Sequence, residues 1–328
     1  MLIDPFGRAI NYLRISITDH CNLRCAYCLP ETGVKWMAPE KLLTADEIIE
    51  VVRVAADLGI TKVRLTGGEP LVRDDLLSIV KQVSQINGIT DLSLTTNAIR
   101  LGELAKPLAE AGLQRVNISL DTLQPEKYHR ITRLGDFQKA WNGILAAEAA
   151  GLLPIKLNCV VVGGLNDDEI VDLATLSVEH SWHVRFIELM PVANEQDWGN
   201  GLPSSDQRYV SVQSMHQVLQ QLNLQNVDSS TRMGPERTFK IPGSLGTVGF
   251  ISPLGDHFCS KCNRLRLTAD GNLRSCLLVD KEISLRKAFE NHEDLKAYIE
   301  NAVKIKPKGH ELSQHNCPES RCMSQIGG

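Results

Sequence analysis

The sequence has none of the marks of export. Its first residues, MLIDPFGRAINYL, carry neither the basic start nor the apolar run of a signal peptide. No apolar stretch reaches the roughly 20 residues needed to span a bilayer. A cytoplasmic location without membrane contact is therefore expected. Charge of one dominant sign is also missing: the formal net charge is −4, which excludes a protein built to coat nucleic acid. There is no low-complexity tract and no internal repeat beyond a β/α rhythm. The pattern G-x-x-x-x-G-K-[ST] is absent, so a hydrolytic P-loop site is excluded. What is present can bury a full core: 328 residues, 43% hydrophobic and 23% charged.

Structural disulfides are not expected in a reducing compartment, so the nine cysteines need another role. They are clustered. Cys21, Cys25 and Cys28 form one group, Cys259, Cys262 and Cys276 a second, and Cys317 and Cys322 lie near the end. Cys159 stands alone in the apolar run KLNCVVV, where a buried strand thiol is expected.

From residue 11 to about 190, β-rich runs alternate with helical patterns. The strand candidates are YLRISIT, KVRLT, DLSLTT, RVNISLD, PIKLNCVVV and HVRFIEL. Thr44 and Glu47 make a capping-box pattern ahead of helically spaced Ile48, Ile49, Val52, Ala55 and Ala56. Further helices are expected over 74–86, 101–111, 136–150 and 166–179, with Asp74 and Asn166 as N-caps and Gly59, Gly112 and Gly151 as stops. Six β/α units imply parallel strands, in either an open sheet or a barrel. Chemistry then belongs at the C-terminal strand ends. Thr18–Cys28, Thr66–Pro70, Thr95–Asn97, Ser119–Asp121, Gly163–Gly164 and Glu188–Pro191 all follow strands there. The rhythm breaks near residue 191. A helix at about 211–222, short strands, the second cysteine group and two helices near 284–305 suggest a smaller C-terminal domain.

The first triplet reads C-x3-C-x2-C. Thiolates suit iron–sulfur clusters and zinc. A closed zinc site wants four ligands, and His20 beside Cys21 is an awkward fourth. Three cysteines suit a four-iron cluster with one iron left open for a small ligand.

That spacing, with Tyr27 before the last cysteine, resembles the radical S-adenosylmethionine superfamily. Gly67-Gly68-Glu69-Pro70 after the second strand is similar to its second motif, which binds the methionine amino group; the same four residues also read as a plain turn. The resemblance implies S-adenosylmethionine as cofactor. Reductive cleavage would give a 5′-deoxyadenosyl radical that needs a dry pocket.

The second triplet reads C-x2-C-x13-C. Spacing alone favours three ligands of a zinc ribbon, with His257, Cys317 or Cys322 as the fourth. Its surroundings, GTVGFISPLGDHFCSKCNRLRLTADGNLRSCL, and the ending RCMSQIGG are similar to the GTP 3′,8-cyclase family of molybdenum cofactor biosynthesis. The resemblance runs from DPFGR to the last glycine and is weaker over 191–208 and 225–240. It implies a second four-iron cluster on Cys259, Cys262 and Cys276, with guanine of GTP against it. It also implies an incomplete (β/α)6 TIM-type barrel over residues 1–222, closed at its mouth by a C-terminal domain over 223–328.

For site residues the resemblance implies GTP contacts at Arg14, Arg64, Thr95, Lys156, Arg264, Leu265 and Arg266, with Arg14, Arg264 and Arg266 catalytic. Arginine forks suit a triphosphate, although any one of these cations taken alone reads as a salt bridge within the fold. S-adenosylmethionine contacts are implied at Tyr27, Gly68, Ser119 and Met190, the last through its backbone. Gly327 and Gly328 would reach into the site, with Arg321 in the same segment, while Cys317 and Cys322 are read as free or packed thiols. The implied reaction is a lyase-class cyclisation of GTP to (8S)-3′,8-cyclo-7,8-dihydroguanosine 5′-triphosphate. Implied partners are an electron donor of flavodoxin or ferredoxin type and a downstream pyranopterin monophosphate synthase. A monomer or homodimer is expected, with no nucleic acid partner. The rival readings are a peptide-modifying radical enzyme and a zinc-stabilised nucleotide-binding protein.

Overall fold

A computed structural model describes residues 1–190, 198–199, 201–227, 236–253, 258–291, 293–310, 321 and 323–326. His257, Cys317, Cys322, Gly327 and Gly328 lie outside the described residues. A short hairpin, β1 (Leu2–Ile3) and β2 (Ala9–Ile10), leads into β3 (Tyr12–Ser16). There follow α1 (Ala45–Asp57), β4 (Lys62–Thr66), α2 (Leu76–Ser84), β5 (Asp91–Thr96), α3 (Leu101–Glu110) and β6 (Arg115–Ser119). The alternation continues with α4 (Pro125–Thr132), α5 (Phe137–Ala149), β7 (Lys156–Val161), α6 (Ile170–Glu179) and β8 (His183–Glu188). The last third contributes α7 (Val212–Val218), β9 (Gln225–Asn226), β10 (Glu236–Lys240), β11 (Thr247–Ile251), β12 (Arg264–Leu267), β13 (Asn272–Arg274) and β14 (Glu282–Ser284). It ends in α8 (Arg286–Asn291), α9 (Leu295–Lys304) and α10 (Met323–Ile326).

Local chemistry explains these boundaries. The Thr44 hydroxyl accepts from Glu47 N–H and the Glu47 carboxylate accepts from Thr44 N–H at 2.7 Å, a complete capping box at the start of α1. Ile48, Ile49, Val52 and Ala55 then face the core. Gly59, Gly112 and Gly151 adopt φ of +101°, +104° and +74°, the left-handed geometry of a helix stop. Two expected caps differ. Asp75, not Asp74, precedes α2. Asn166 precedes a 3-10 turn, and its side chain instead accepts from Val162 N–H and donates to the Asp121 and Val160 carbonyls. Helix α4, which opens on Pro125, was not expected.

The strands form one twelve-stranded mixed sheet in the order β14-β13-β12-β3-β4-β5-β6-β7-β8-β11-β10-β9. The run from β12 to β11 is parallel throughout. The last third supplies both flanks of this run: β11 joins β8, and β12 joins β3. Residues on either side of position 222 therefore share a sheet.

Alternation gives the sheet two faces. Leu13, Ile15, Val63, Leu65, Leu94, Val116, Ile118, Leu157, Val184 and Phe186 are buried in the apolar core. The residues between them are polar, and cross-strand register makes them one continuous surface. Arg266 lies opposite Arg14, Arg14 opposite Arg64 and Arg64 opposite Ser93. Thr95 lies opposite Asn117, and Asn117 opposite Lys156. Cys159 is buried on β7, on the apolar side, as expected. Among the described residues no helix is long and apolar enough to cross a membrane.

Candidate active site between two cysteine triplets

The first triplet occupies the loop after β3, and its backbone is fixed from several sides. Arg24 N–H and Ala26 N–H donate to the Thr132 and Ile131 carbonyls, and Cys28 N–H donates to the Cys25 carbonyl. Arg133 donates to the carbonyls of Arg24, Leu29 and Trp198 at 2.9, 2.8 and 2.6 Å. Tyr27 donates to Asp121 at 2.7 Å, and Asp121 also accepts from Val160 N–H. Burial pushes the Asp121 carboxyl up to about 6, against those two hydrogen bonds.

The three sulfurs suit a polynuclear cluster. Burial is the main cause that raises Cys25, and the charges of Asp121, Cys28 and Cys21 add to it. Burial likewise pushes Cys21 up to about 12. Thiols that repel one another in this way call for a cationic metal centre to hold them as thiolates. Among the described residues no three His, Cys, Asp or Glu side chains converge tightly enough to chelate a single ion. A four-iron cluster takes one cysteine sulfur on each iron that the protein holds.

The Gly67-Gly68 pair is dictated by close approach. Gly68 N–H donates to the Thr18 carbonyl and Glu69 N–H to the His20 carbonyl, so this turn lies directly on the cysteine loop. A Cβ at Gly68 would stand 2.3 Å from the His20 carbonyl oxygen and 2.5 Å from that of Asp19. Glu69 is buried and accepts from Leu71 N–H, the Thr96 hydroxyl and Asn97 N–H. Burial nevertheless pushes its carboxyl up to about 7.

The polar face of the sheet gathers the cations. Burial first, then repulsion by Arg266, lowers Arg14 well below its ordinary value. Burial brings Arg64 and Arg266 each down to about 10, and Lys156 to about 8. Interior cations of one sign are a standing preference for an anion. Several polar atoms here have no hydrogen-bond partner among the described residues: the hydroxyls of Tyr12 and Thr95, Asn158 Oδ1, and the Nε atoms of Arg185 and Arg264. Ser119, at the end of β6, lies opposite Asn158. Leu265 is buried on β12 opposite Leu13, so only its backbone can serve a ligand.

Two members of this face were not anticipated. Tyr12 lies between two guanidinium groups, Arg64 at 5.5 Å and Arg264 at 5.7 Å from its ring centre. Burial alone would raise its phenol, but Arg64, Arg14, Arg264 and Arg115 outweigh it and lower it. Arg185 donates to Asn117 at 2.9 Å, with Glu236 3.7 Å away. The alternation in YLRISIT and HVRFIEL could have marked both, because each shares a strand face with other polar residues.

The second triplet lies at the other end of the strands. Cys21–Cys28 follow β3, whereas Cys259 and Cys262 precede β12, which runs parallel to β3. Arg14 and Arg266 occupy the stretch between. Burial raises Cys259 despite a hydrogen bond from His310 N–H. Burial also raises Cys262, but Lys306 and Arg264 outweigh it and leave that thiol lowered. One cavity is lined by Cys259, Cys262 and Cys276 together with Arg264, Arg266 and Met190.

The tail is anchored beside this cavity. Arg321 makes four contacts of 2.8–3.1 Å to Asp270 and Glu282. Ile326 on α10 is buried with Leu278, next to Met190, Cys276 and Leu277. It directly precedes Gly327 and Gly328 in the sequence.

Comparison with known proteins agrees with this geometry. The Radical SAM superfamily model matches residues 15–176, and the Molybdenum Cofactor Synthesis C model matches residues 182–312. Among solved structures, Streptococcus suis SuiB bound to S-adenosylmethionine superposes with a TM-score of 0.60 at 14% identity, over 89% of this chain and 68% of that one. A radical SAM methyltransferase from Sphaerobacter thermophilus gives 0.50 at 17% identity, over 72% of this chain and 64% of that one. These likenesses concern the fold. In sequence, GTP 3′,8-cyclase of Moorella thermoacetica is 48% identical over 99% of both chains. GTP 3′,8-cyclase of Alkaliphilus metalliredigens is 44% identical, again over 99% of both. Identity at that level from one end to the other, with both family models matched in order, means that the chain belongs to the GTP 3′,8-cyclase family of radical S-adenosylmethionine proteins.

Proposed function

We propose that the chain cyclises GTP to (8S)-3′,8-cyclo-7,8-dihydroguanosine 5′-triphosphate, an early step of molybdenum cofactor biosynthesis. The observation that carries this reading is the continuous cationic face through Arg266, Arg14 and Arg64, which spans the strands between the two triplets. A triphosphate fits there because several fixed guanidinium groups need a multiply charged anion. Cys21, Cys25 and Cys28 hold one four-iron cluster, and Cys259, Cys262 and Cys276 hold a second. When bound, the reduced first cluster and S-adenosylmethionine would supply a 5′-deoxyadenosyl radical able to take the ribose 3′ hydrogen of GTP; closure of the carbon radical on guanine C8 would then need one further electron, from the cluster side, and a proton to give the 7,8-dihydro product.

This chain's residues do the positioning. Tyr27, Gly68, Ser119 and the Met190 backbone hold S-adenosylmethionine at the C-terminal strand ends. Arg14, Arg64, Thr95, Lys156, Arg264, Arg266 and the Leu265 backbone hold GTP, with Tyr12 and Arg185 joining them. Fixing the triphosphate fixes the ribose relative to the first triplet, which is the larger part of what a positioned reaction requires. Gly327 and Gly328 close on the site from the anchored tail. The consecutive order of β3 to β8 supports an incomplete (β/α)6 barrel over 1–222, and residues 223–328, which add β11 and β12 to its flanks, would close its mouth. A cytoplasmic location, a flavodoxin- or ferredoxin-type donor, a pyranopterin monophosphate synthase downstream and a monomeric or homodimeric state complete the reading.

Anaerobic incubation with reductant, S-adenosylmethionine and GTP tests it. The expected products are 5′-deoxyadenosine and the cyclised nucleotide. Deoxyadenosine without a cyclised guanosine nucleotide would overturn the assigned substrate.

A further inference from the structure

Lys306 is 3% exposed, a rare position for a lysine. It follows α9 in a strap, residues 306–310, that passes over the second triplet. An ammonium has three N–H bonds to place. Two go to the carbonyls of Arg264 and Ser275, at 2.9 and 2.5 Å. The third partner is the Cys262 sulfur. Those carbonyls belong to β12, which carries Arg264 and Arg266, and to the residue just before Cys276. One buried charge thus joins the cysteine loop, the arginine strand and the third cysteine. Both carbonyls are neutral, so among these three partners the Cys262 sulfur is the one on which its charge bears.

The strap is held by a second buried cation. In the turn Asp4–Arg8, Asp4 accepts from Arg8 N–H and pairs with Arg8 Nε at 2.5 Å. Gly7, at φ +78°, lets the chain fold back there. Arg8 then donates to the carbonyls of Cys259, Lys308 and Pro307 at 2.6, 3.0 and 2.6 Å. The planar guanidinium fork holds these three carbonyls in one fixed geometry, which the flexible stem of a lysine would not. The strap so fixed also brings His310 N–H to the Cys259 sulfur.

We propose that Lys306 is a positioning residue for the second triplet and raises the reduction potential of the cluster bound there, with Arg8 locking the strap that carries it. The inference rests on the second-cluster reading. A fixed positive charge beside a cluster sulfur favours the reduced, more negative state, and hydrogen bonds to cluster sulfurs act in the same direction.

The test uses anaerobically reconstituted full-length protein, with iron analysis and spectroelectrochemical titration of each cluster. Wild type should bind about eight irons per chain. Lys306→Met should keep that iron, shift only the second cluster to a more negative potential and leave the first unmoved. Lys306→Arg, which keeps the charge, should restore most of the shift. Arg8→Lys should lose second-cluster iron selectively. Full iron with an unmoved potential in Lys306→Met would overturn the role of Lys306. About four irons in wild type would overturn the second-cluster reading itself. If Lys306→Met fails to fold, Lys306→Gln serves the same comparison.

Discussion

Arg14 on β3 and Arg266 on β12 are cross-strand partners, two cations held side by side in the interior. Repulsion between such groups is worth about 1–3 kcal/mol at the effective dielectric of a protein. GTP should therefore stabilise the chain by more than its binding contacts with neutral groups suggest. Arg266→Ala should lower turnover by roughly 100-fold or more, the scale for removing one fixed charge donor. It should also shrink the rise in melting temperature that GTP causes, with iron content unchanged. Thermal shift with and without GTP, beside product assays, checks both.

With Lys156 in the proposed GTP site, binding of GTP should depend on pH. Burial brings its amine down to about 8 from 10.5, so the free protein gains stability as pH rises through that interval. A triphosphate favours the charged form, so binding takes up a proton near pH 8. Affinity should weaken between pH 7 and 9. Calorimetry in two buffers of different ionisation enthalpy should show uptake of roughly half a proton at pH 8. Lys156→Met should bind more weakly and lose this uptake.

Gly68→Ala tests the contact between the two superfamily motifs. The added Cβ meets backbone carbonyls of His20 and Asp19, which cannot swing aside. The expected cost is about 2–4 kcal/mol. The cysteine loop should be displaced, with loss of first-cluster iron and of 5′-deoxyadenosine formation.

The tail anchor can be loosened without touching either triplet. Arg321→Ala leaves Asp270 and Glu282 facing each other, although Arg274 still holds Glu282 at 2.6 Å. A loss of roughly 1–3 kcal/mol is expected. Deoxyadenosine should still form while cyclised nucleotide falls several-fold. Parallel quantification of the two products distinguishes this from general damage.

Much of the fold was legible because it is local. Each of the six β/α strands falls inside its expected run, and Thr44 with Glu47 marked the start of α1. The motif residues of the first triplet and of Gly67–Pro70 were legible for the same reason, since each is a short contiguous pattern. Strand pairing was not. Nothing in RLRL says that it will lie beside YLRIS, because a parallel partner can come from any distance along the chain. That is why the last third read as a separate domain, whereas β11 and β12 extend the same sheet. Tyr12 escaped notice because an aromatic at a strand start normally signals packing. Only the arginines that the register brings to it make it polar in function. Lys306 was invisible because two of its partners are backbone carbonyls, which carry no residue-specific signal, and the third, Cys262, is distant in the sequence.

The placement of β11 and β12 at the two flanks of the parallel run bears on how the chain is made. Synthesis delivers β3 to β8 first, with unpaired N–H and C=O groups along both edges of the growing sheet. Neither edge is covered until the final third leaves the ribosome. During that interval both open edges leave the half-made sheet exposed to edge-to-edge aggregation. The first cysteine loop is already complete at that stage. Cys262, by contrast, takes its place beside the sheet only when β12 pairs with β3.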